Sequence, residues 1–462
     1  MTRPPEAGAL PVVTLDDVAD VTTPQGVRVV SVRRTHVPLA QLRLYVPLGD
    51  VAVRDNATLR LLPKMLLAGT GERSGSEVAA DLQRLGALAG TGADVDDLTV
   101  SVGLPAPVLE EGLAEIADIV ARPSFPQREV VGERERVVQE VLQDGVDPVS
   151  IATRALGALL FPRHPYAGPL PEVGTVRRTG RSRLARFHAE HVRAAGSVLV
   201  AVGDVDPARI GQVAGAVFAG WAGRSGEGAS GRAGGTGTGT GASGAERAAR
   251  TLSAPPPTGT ARAITVVHRP GAMQSNLRLG ARCAGRDDPG FPALFLAATI
   301  FGGHFTSRLV DNLRERHGYT YSPRAGIDER RLASAFVVKT EVGTEVTAAA
   351  LNEVRYELAR MATTEVSAEE LDAARRYVTG VLAMSAATQA GLAELLGAFV
   401  STGLEPSYLE RFTRELAEVD EGAVREAAAR FLGPAAMTTV VVGDADVVAS
   451  TLEGLDEVRV LR

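Results

Sequence analysis

The sequence is poor in cysteine, lysine and aromatic residues, and each shortage excludes a class of site. Its 462 residues include one cysteine, Cys283, so neither an internal disulfide framework nor a cysteine-rich zinc or iron–sulfur site can form. Lysine occurs only at Lys64 and Lys339, and arginine supplies the remaining positive charge, which we attribute to coding bias. Aromatic residues make up 4% of the chain, and the net charge is −6. That balance argues against binding to nucleic acid or to an anionic membrane.

Long hydrophobic runs are also absent from the sequence. The longest, such as Val198–Val202 and Val440–Val442, have the length of strands and fall well short of the about 18 residues that a membrane helix needs. The first eleven residues contain one arginine, two adjacent prolines and no apolar run, which does not match a signal peptide. We therefore expect a cytoplasmic protein.

One segment departs sharply from the composition of the rest. Residues 223–244 are nearly all Gly, Ser, Thr and Ala, and a proline-rich stretch extends this segment to residue 262. Such a sequence cannot bury apolar surface, so 222–262 is predicted to be a flexible linker. It separates an N-terminal domain at 12–221 from a C-terminal domain at 263–462, each within the usual size range of a domain.

The two halves resemble each other. Gln41-Leu-Arg-Leu is echoed by Asn276-Leu-Arg-Leu, and Val-Gly-Asp recurs with its glycine at Gly203 and Gly443. The echoes are 235 and 240 residues apart, which indicates a duplicated domain. Within each half, strand-like β-branched segments separate pairs of helical segments without strict alternation. This order predicts an α+β fold of two homologous domains, each with a mainly antiparallel sheet and helices on one face.

Three segments carry a resemblance to a known family. They are Arg314-Glu-Arg-His-Gly-Tyr-Thr-Tyr321, Met65-Leu-Leu-Ala-Gly-Thr-Gly71 and Glu133-Arg-Glu-Arg-Val-Val-Gln-Glu140. In this order, and with a duplicated domain, they resemble the pitrilysin/insulinase family of zinc metallopeptidases, in the branch of the mitochondrial processing peptidase. The resemblance implies a clam-like arrangement of the two domains.

Catalytic members of that family carry H-x-x-E-H on a helix, with a glutamate ligand further on. Two histidines four residues apart share one helix face and can bind one zinc ion. Here the corresponding positions are Arg60, Pro63 and Lys64, while Glu140 and Glu133 match the family glutamates. A protonated guanidinium offers no lone pair to a metal, and proline offers no general base and is expected to disrupt the helix. The sequence therefore predicts no metal site and no cofactor in this chain.

The degenerate positions leave alternatives open. Lys64 and Arg60 could occupy the vacated zinc pocket by pairing with Glu140, or Glu140 and Glu133 could be solvated helix residues. The strand-like stretch 89–95 corresponds to the edge at which the family binds extended peptides, although its glycines weaken that assignment.

The resemblance also assigns a substrate-binding group to the C-terminal half. Arg314 and Tyr321 match an arginine–tyrosine pair that holds the substrate backbone in the family, and their donors suit a peptide carbonyl. Gly302 and Gly303 form either a turn or a close-approach loop near the substrate. Without the family, Arg314 would be interpreted as a solvated charge and Tyr321 as a core tyrosine.

Together these features predict the non-catalytic, substrate-binding subunit of a heterodimeric zinc metallopeptidase. In that case the chain is inactive alone, and a homologous partner with H-x-x-E-H supplies zinc and cleaves peptides or extended segments. The alternative is a structural or peptide-binding scaffold without a role in proteolysis. The sequence does not specify the substrate, which could belong to peptide turnover or to leader-peptide removal, and a homodimer remains open.

Overall fold

Two six-stranded sheets form the framework of the computed structural model, which describes residues 8, 10, 12–49, 51–71, 73–221 and 263–462. The linker predicted at 222–262 lies outside the described residues. The strands are β1 Val18–Thr22, β2 Arg28–Arg33, β3 Leu39–Pro47, β4 Gly69–Thr70, β5 Arg73–Ser74, β6 Leu88–Ala93, β7 Asp97–Pro105, β8 Val198–Gly203, β9 Ile264–His268, β10 Gln274–Cys283, β11 Arg324–Glu329, β12 Ser334–Gly343, β13 Thr438–Gly443 and β14 Val458–Leu461.

Helices fill the intervals between these strands. In the first half they are Asn56–Leu66, Gly75–Arg84, Leu109–Ala121, Gln127–Val146, Pro148–Leu160, Val173–Arg178, Arg181–His191 and Pro207–Val217. In the second half they are Phe291–Ala298, Arg308–Val310, Thr347–Thr363, Ala368–Ala387, Gln389–Val400, Tyr408–Glu418, Glu421–Phe431 and Ala445–Glu453, with π-helical turns at Thr299–Gly303 and Asp311–Arg316.

Five of the six strands in each sheet share one topology, and only the outermost strands, β1 and β14, differ in direction. The strand orders of the two sheets are β1-β2-β8-β3-β7-β6 and, read in the matching direction, β14-β9-β13-β10-β12-β11. Gln41 lies opposite Val202 in the first sheet, and Asn276 lies opposite Val442 in the second. The sequence echoes therefore occupy equivalent registers, as a duplicated domain requires. Both sheets are mainly antiparallel, but β2 runs parallel to β8 in the first sheet, and β9 runs parallel to both β13 and β14 in the second.

Each half covers the other's sheet with one helix. We call Pro148–Leu160 the first bridging helix and Gln389–Val400 the second bridging helix. The first packs on β10 and β13 of the second sheet, and the second packs on β3 and β8 of the first sheet. Within each half, the other helices cover the sheet face that the bridging helix does not cover. The expectation of helices on one face therefore holds within a half. The second face is covered by the other half.

A glycine permits close contact at each of these crossings. In the second sheet, a Cβ on Gly280 would lie 3.0 Å from a methyl carbon of Leu156 and 3.2 Å from one of Leu160. In the first sheet the glycine lies on the helix and the large side chain on the strand. A Cβ on Gly397 would lie 2.5 Å from two ring carbons of Tyr45. Residues 45 and 280 occupy equivalent positions of β3 and β10, so the large side chain lies on the strand in one crossing and on the helix in the other.

Polar contacts close the seam between the halves near the β6–β7 turn. The Tyr166 hydroxyl donates to Asp96 Oδ1 at 2.7 Å and accepts the backbone N–H of Leu332 at 3.1 Å. Arg331 donates from its guanidinium to Asp97, which is largely buried. Burial raises the pKa of Asp97 to about 6, although Arg331 opposes that rise.

One helical run is longer and more apolar than the sequence suggested. The successive helices over Phe291–Arg316 give a 26-residue candidate membrane span by length and composition. Of its most apolar window, 72% is buried inside the protein, where Leu294, Phe301 and Leu309 join the core of the second half. The core helix of a soluble protein passes the same test, so this run is weak support for a membrane span.

We predict that Gly397→Ala destabilises the protein by about 1–3 kcal/mol, because overpacking forces the Tyr45 ring or the bridging helix to move. Tyr45→Ala should recover most of that loss in the double variant, giving a coupling energy measurable by chemical unfolding. Gly380→Ala is the matched control, since a methyl group added there would meet nothing within 4 Å, and it should stabilise the helix by about 0.5–1 kcal/mol. Additive effects at positions 45 and 397 would contradict the packing.

We also predict a pH effect at Asp97. Because its pKa is about 6 in the folded protein and about 4 in an unfolded chain, the folded state keeps a proton that the unfolded state releases. The melting temperature of the wild type relative to Asp97→Asn should therefore fall as pH rises from about 4 to about 6 and stay level above that range. Scanning calorimetry measures this difference, with the exposed Asp16→Asn as control. A difference that rises with pH would contradict the assignment.

Candidate functional site

Cationic side chains occupy the two histidine positions of the degenerate zinc site (Arg60, Pro63, Lys64, Glu133 and Glu140). The Lys64 Nζ lies 2.7 Å from Glu140 Oε1, and Arg60 Nη1 lies 2.8 Å from Asp144 Oδ2. The cations lie one turn apart on helix Asn56–Leu66, and the carboxylates lie one turn apart on helix Gln127–Val146. The two ion pairs therefore lie side by side between the two helices.

These pairs match one of the alternatives that the sequence left open, since Lys64 pairs with Glu140, whereas Arg60 pairs with Asp144 instead. The residues do not suit a zinc ion. A guanidinium and an ammonium in ion pairs offer no lone pairs, and Glu140 as a single carboxylate lacks the two further ligands of a catalytic zinc site.

Two further positions of this site differ from what the sequence suggested. The helix does not break at Pro63, but runs without interruption from Asn56 to Leu66. The carbonyl oxygen of the buried Pro63 accepts a hydrogen bond from Thr91 Oγ1 at 2.8 Å. Glu133 does not reach the cations, because it pairs with Arg136 on its own helix.

The predicted substrate-binding edge lies beside the degenerate zinc site. β6 pairs with β7 alone, so it is an edge strand of the first sheet. Its Thr91 contacts Pro63, which places the edge directly against the helix that carries Arg60 and Lys64. Leu88 at the start of the strand is 83% exposed. An extended peptide could pair with this edge through its backbone.

Arg314 contacts two exposed aromatic rings. Its guanidinium carbon is 4.6 Å from the ring centroid of Phe305 and 5.0 Å from that of Tyr321. Tyr321 is 80% exposed and Phe305 is 69% exposed. Cation–π contacts of this kind orient a guanidinium while leaving its donors accessible. The ion pair it makes within the described part of the chain is with its neighbour Glu315, at 3.3 Å.

The end of the long helical run fixes this geometry. Gly318 adopts a positive φ of 65°, and the N–H groups of Gly318 and Tyr319 bond to the carbonyls of Arg314 and Leu313. Such a helix end returns the chain over its own last turn. Tyr321 is thereby placed against Arg314, and the interpretation of Tyr321 as a core residue is wrong.

Gly302 and Gly303 lie in the π-helical turn of the same run rather than in a loop. A Cβ on Gly302 would lie 2.7 Å from the Ala325 Cβ and 2.8 Å from its backbone nitrogen. Gly302 is therefore required for the close approach of helix and β11. Gly303 has no comparable contact. A π-helical turn is often found near functional sites, and Phe305 follows two residues later.

Sequence reasoning missed Phe305, whose only signal was its place between Gly303 and Arg314. It paired Arg314 with Tyr321 and gave Lys64 with Glu140 as one alternative, and the structure shows both contacts. No hydrogen bond or ion pair joins the degenerate zinc site to the Arg314 stack among the described residues.

A second group of possible metal ligands serves a structural purpose. Ligand atoms of His268, Asp444 and Asp446 lie within 4.8 Å of one another. However, His268 Nδ1 accepts the N–H of Ala445, and the Asp444 oxygens accept the N–H groups of Asp446 and Gly271. Asp444 thus caps the N-terminus of helix Ala445–Glu453, as its place after a strand-end glycine suggested.

A large cavity lies away from these groups. It has a volume of about 1120 Å³ and is lined by Cys283, Arg286 and Glu329, among others. Arg286 pairs with Glu329 and lies over four aromatic rings at 4.7–5.6 Å, which is a structural arrangement. Burial raises the pKa of the Cys283 thiol to about 12, so this thiol is unreactive at neutral pH.

Comparisons with known proteins agree on one family. A family model described as the peptidase M16 inactive domain matches residues 180–378. An uncharacterized zinc protease of Mycobacterium leprae is 24% identical over 321 residues, which are 67% of this chain and 66% of the relative. An uncharacterized zinc protease of Streptomyces coelicolor is 25% identical over 316 residues, or 66% of this chain and 63% of the relative. The chain thus spans slightly less than two thirds of the length of these curated relatives.

Solved structures match almost the whole chain. A peptidase M16 inactive domain from Pseudomonas fluorescens is 25% identical, with a TM-score of 0.79 over 92% of this chain and 98% of that one. A protease from Helicobacter pylori is 16% identical, with a TM-score of 0.80 over 93% of this chain and 100% of the other. The second likeness bears on the fold alone.

The geometry of the degenerate zinc site predicts that three substitutions create a metal site. Arg60→His, Pro63→Glu and Lys64→His together place two imidazoles one turn apart, facing Glu140. The triple variant should bind about one zinc ion per chain, measured by metal analysis after gel filtration. Adding Glu140→Ala should abolish that binding. If the triple variant binds no more zinc than the wild type, these positions do not form the pocket that we describe.

Proposed function

Because the chain belongs to the peptidase M16, or pitrilysin, family as a member without the zinc motif, we propose that it is the non-catalytic, substrate-binding subunit of a heterodimeric zinc metallopeptidase. The observation that carries the proposal is the contrast between two groups of residues. The zinc-ligand positions hold paired cations, whereas the half-buried Arg314 lies against the exposed rings of Phe305 and Tyr321.

The Arg314 stack is suited to holding a peptide backbone. A guanidinium and a phenol are hydrogen-bond donors, and a peptide carbonyl or a developing oxyanion accepts from both. The two rings restrict the guanidinium to one orientation, so less rotational freedom is lost when a substrate binds. Two exposed aromatic rings against one guanidinium would not be needed for solubility, because exposed aromatic patches are unfavourable in water.

In the proposed complex the work is divided between two chains. A homologous partner with an intact H-x-x-E-H motif supplies the zinc ion and the general base. This chain orients the peptide through Arg314 and Tyr321, and the edge strand β6 offers a second place for an extended segment. Backbone pairing with an edge strand requires an extended chain, so the expected substrates are peptides and extended segments.

We predict that Tyr321→Phe lowers the rate of peptide cleavage by the reconstituted heterodimer. It removes one donor and keeps the ring under Arg314, so the expected loss is that of one oxyanion donor, about 10²-fold or more in kcat. Arg314→Ala should lose at least as much. The assay mixes this chain with a homologue from the same genome that carries H-x-x-E-H and follows a quenched fluorescent peptide.

Tyr356→Phe is the matched control, because Tyr356 is also exposed and lies under an arginine, Arg360, at 5.7 Å. It should leave the rate unchanged. Wild-type rates for Tyr321→Phe and Arg314→Ala in an intact complex would reject the substrate role and favour a structural scaffold.

A further inference from the structure

Three cationic side chains lie in one cross-strand row of the second sheet. Arg278 of β10 lies opposite Lys339 of β12, and Lys339 lies opposite Arg324 of β11. Directly opposed residues of antiparallel strands point to the same face of a sheet. We call Arg278, Lys339 and Arg324 the cationic row. Like charges in this position repel one another and destabilise a sheet, so the row has a cost for folding.

The row is only partly compensated by the surrounding side chains. Arg278 is 2% exposed and donates to Glu341 at 3.1 Å, but its Nε lacks a partner. Lys339 and Arg324 have no hydrogen-bond or ion-pair partner among the described residues. A buried donor without a partner is unfavourable. The row therefore combines repulsion with an unsatisfied donor.

A cavity opens on this row. It has a volume of about 150 Å³ and lies between the first bridging helix and the second sheet. Its lining contains four cationic side chains, Arg154, Arg278, Arg330 and Lys339, and one carboxylate, Asp328. Asp328 is paired with Arg330 at 3.1 Å. The remaining charge in the cavity is positive, and the volume admits a small anionic group.

The duplicated half shows that the fold does not require this charge. The equivalent row of the first sheet is Arg43, Ser101 and Gly90, in which only Arg43 is charged. The second bridging helix covers that arginine and provides Glu394, whose carboxylate lies 3.5 Å from its Nε.

The first bridging helix lacks such a carboxylate. Glu394 lies six residues after the N-cap Thr388, and the same count from the N-cap Asp147 ends at Thr153, next to Arg154. The second half has thus gained two cations and one carboxylate, because Glu341 stands at the position of Gly103, but its bridging helix provides no anion.

The cationic row also lies close to both groups that the proposed function uses. Arg154 lies near Arg60 and Asp144, whose charges act on the Arg154 guanidinium. The cavity therefore lies close to the degenerate zinc site. Arg324 follows Tyr321 by three residues at the start of the edge strand β11. Arg154 therefore links the cavity to the neighbourhood of the degenerate site, and Arg324 lies three residues from Tyr321 in the sequence.

We propose that the cationic row and Arg154 bind the side-chain carboxylates of an acidic peptide. Carboxylates would satisfy the free donor of Arg278 and relieve the repulsion along the row, in the way that Glu394 serves Arg43. The binding of an acidic peptide does not depend on the proposed function. Only the statement that this peptide is a substrate rests on it. The expected specificity is for acidic segments, since a neutral peptide gains nothing from the row.

Peptide binding to the isolated full-length chain tests the inference. Fluorescence anisotropy compares labelled hexaglutamate with labelled hexaglutamine, both amidated at the C-terminus. Hexaglutamate should bind at least about tenfold more tightly at low salt, and its affinity should fall as salt rises. Lys339→Gln with Arg324→Gln should weaken hexaglutamate binding by about tenfold, as expected from losing two partly exposed charge pairs. Arg459→Gln, on the opposite edge strand of the same sheet, is the control and should bind like the wild type.

Thr153→Glu gives a second test that removes no cation. It introduces the carboxylate that the second bridging helix provides in the other half, so it should abolish hexaglutamate binding and raise the melting temperature. The Lys339→Gln and Arg324→Gln variant should also melt at a higher temperature than the wild type, because it relieves repulsion. A purely structural role for these cations would give the opposite shift.

Three results would overturn the inference. These are equal binding of the two peptides, unchanged hexaglutamate binding in the variants, or displacement of the peptide by an equal concentration of inorganic phosphate. None of them depends on the partner chain. Arg314→Ala and Tyr321→Phe should leave hexaglutamate binding intact, so failure of the cleavage assay would reject the proposed function alone.

Discussion

The exchange of one helix between the two halves is the contact on which the rest of this structure depends. Each sheet has two apolar faces, and the helices of one half can cover only one of them. The outer face of the first sheet, which includes Val30 and Val200, is buried with the core of the second half. The outer face of the second sheet buries Val440 and Val442 against the first bridging helix. Burial of apolar surface is the dominant favourable term in folding, so neither half has a complete core alone.

This exchange also determines where functional groups can lie. A bridging helix covers two strands near the middle of the opposite sheet and leaves the strands at one edge open on that face. In the second sheet Arg324 of β11 and Lys339 of β12 are exposed, whereas Ala335 of β12 is buried with the first bridging helix. In the first sheet the open strands are β7 and β6, the edge beside the degenerate zinc site. Duplication has thus produced two equivalent open edges, and their side chains have diverged in charge.

Much of this framework could be predicted from the sequence. Strands β8 and β13 contain the apolar runs Val198–Val202 and Val440–Val442, whose length already indicated strands. The second bridging helix could not be identified, because Gly391 and Gly397 lower its helix propensity. Gly397 is there for Tyr45, which lies more than 350 residues earlier in the sequence. The role of Phe305 and the pairing of Arg60 with Asp144 could not be predicted for the same reason, because a contact between distant segments leaves no local pattern in the sequence. Pro63 is a different case, because packing overrides the local preference against proline within a helix.

The substitutions in the degenerate zinc site make sense as one set. A zinc ion carries two positive charges, and its loss would leave Glu140 and Asp144 close together on one helix face without a counterion. Like charges one turn apart destabilise a helix by about 0.2–0.5 kcal/mol, and unpaired carboxylates between two packed helices cost more. Arg60 and Lys64 restore two positive charges at the positions of the two histidines. Partly exposed ion pairs contribute only about 0–1 kcal/mol, so this exchange preserves the packing of the two helices without adding much stability. The site has lost its chemistry but kept its charge balance, which is what a chain needs if its remaining task is to present a peptide to another subunit.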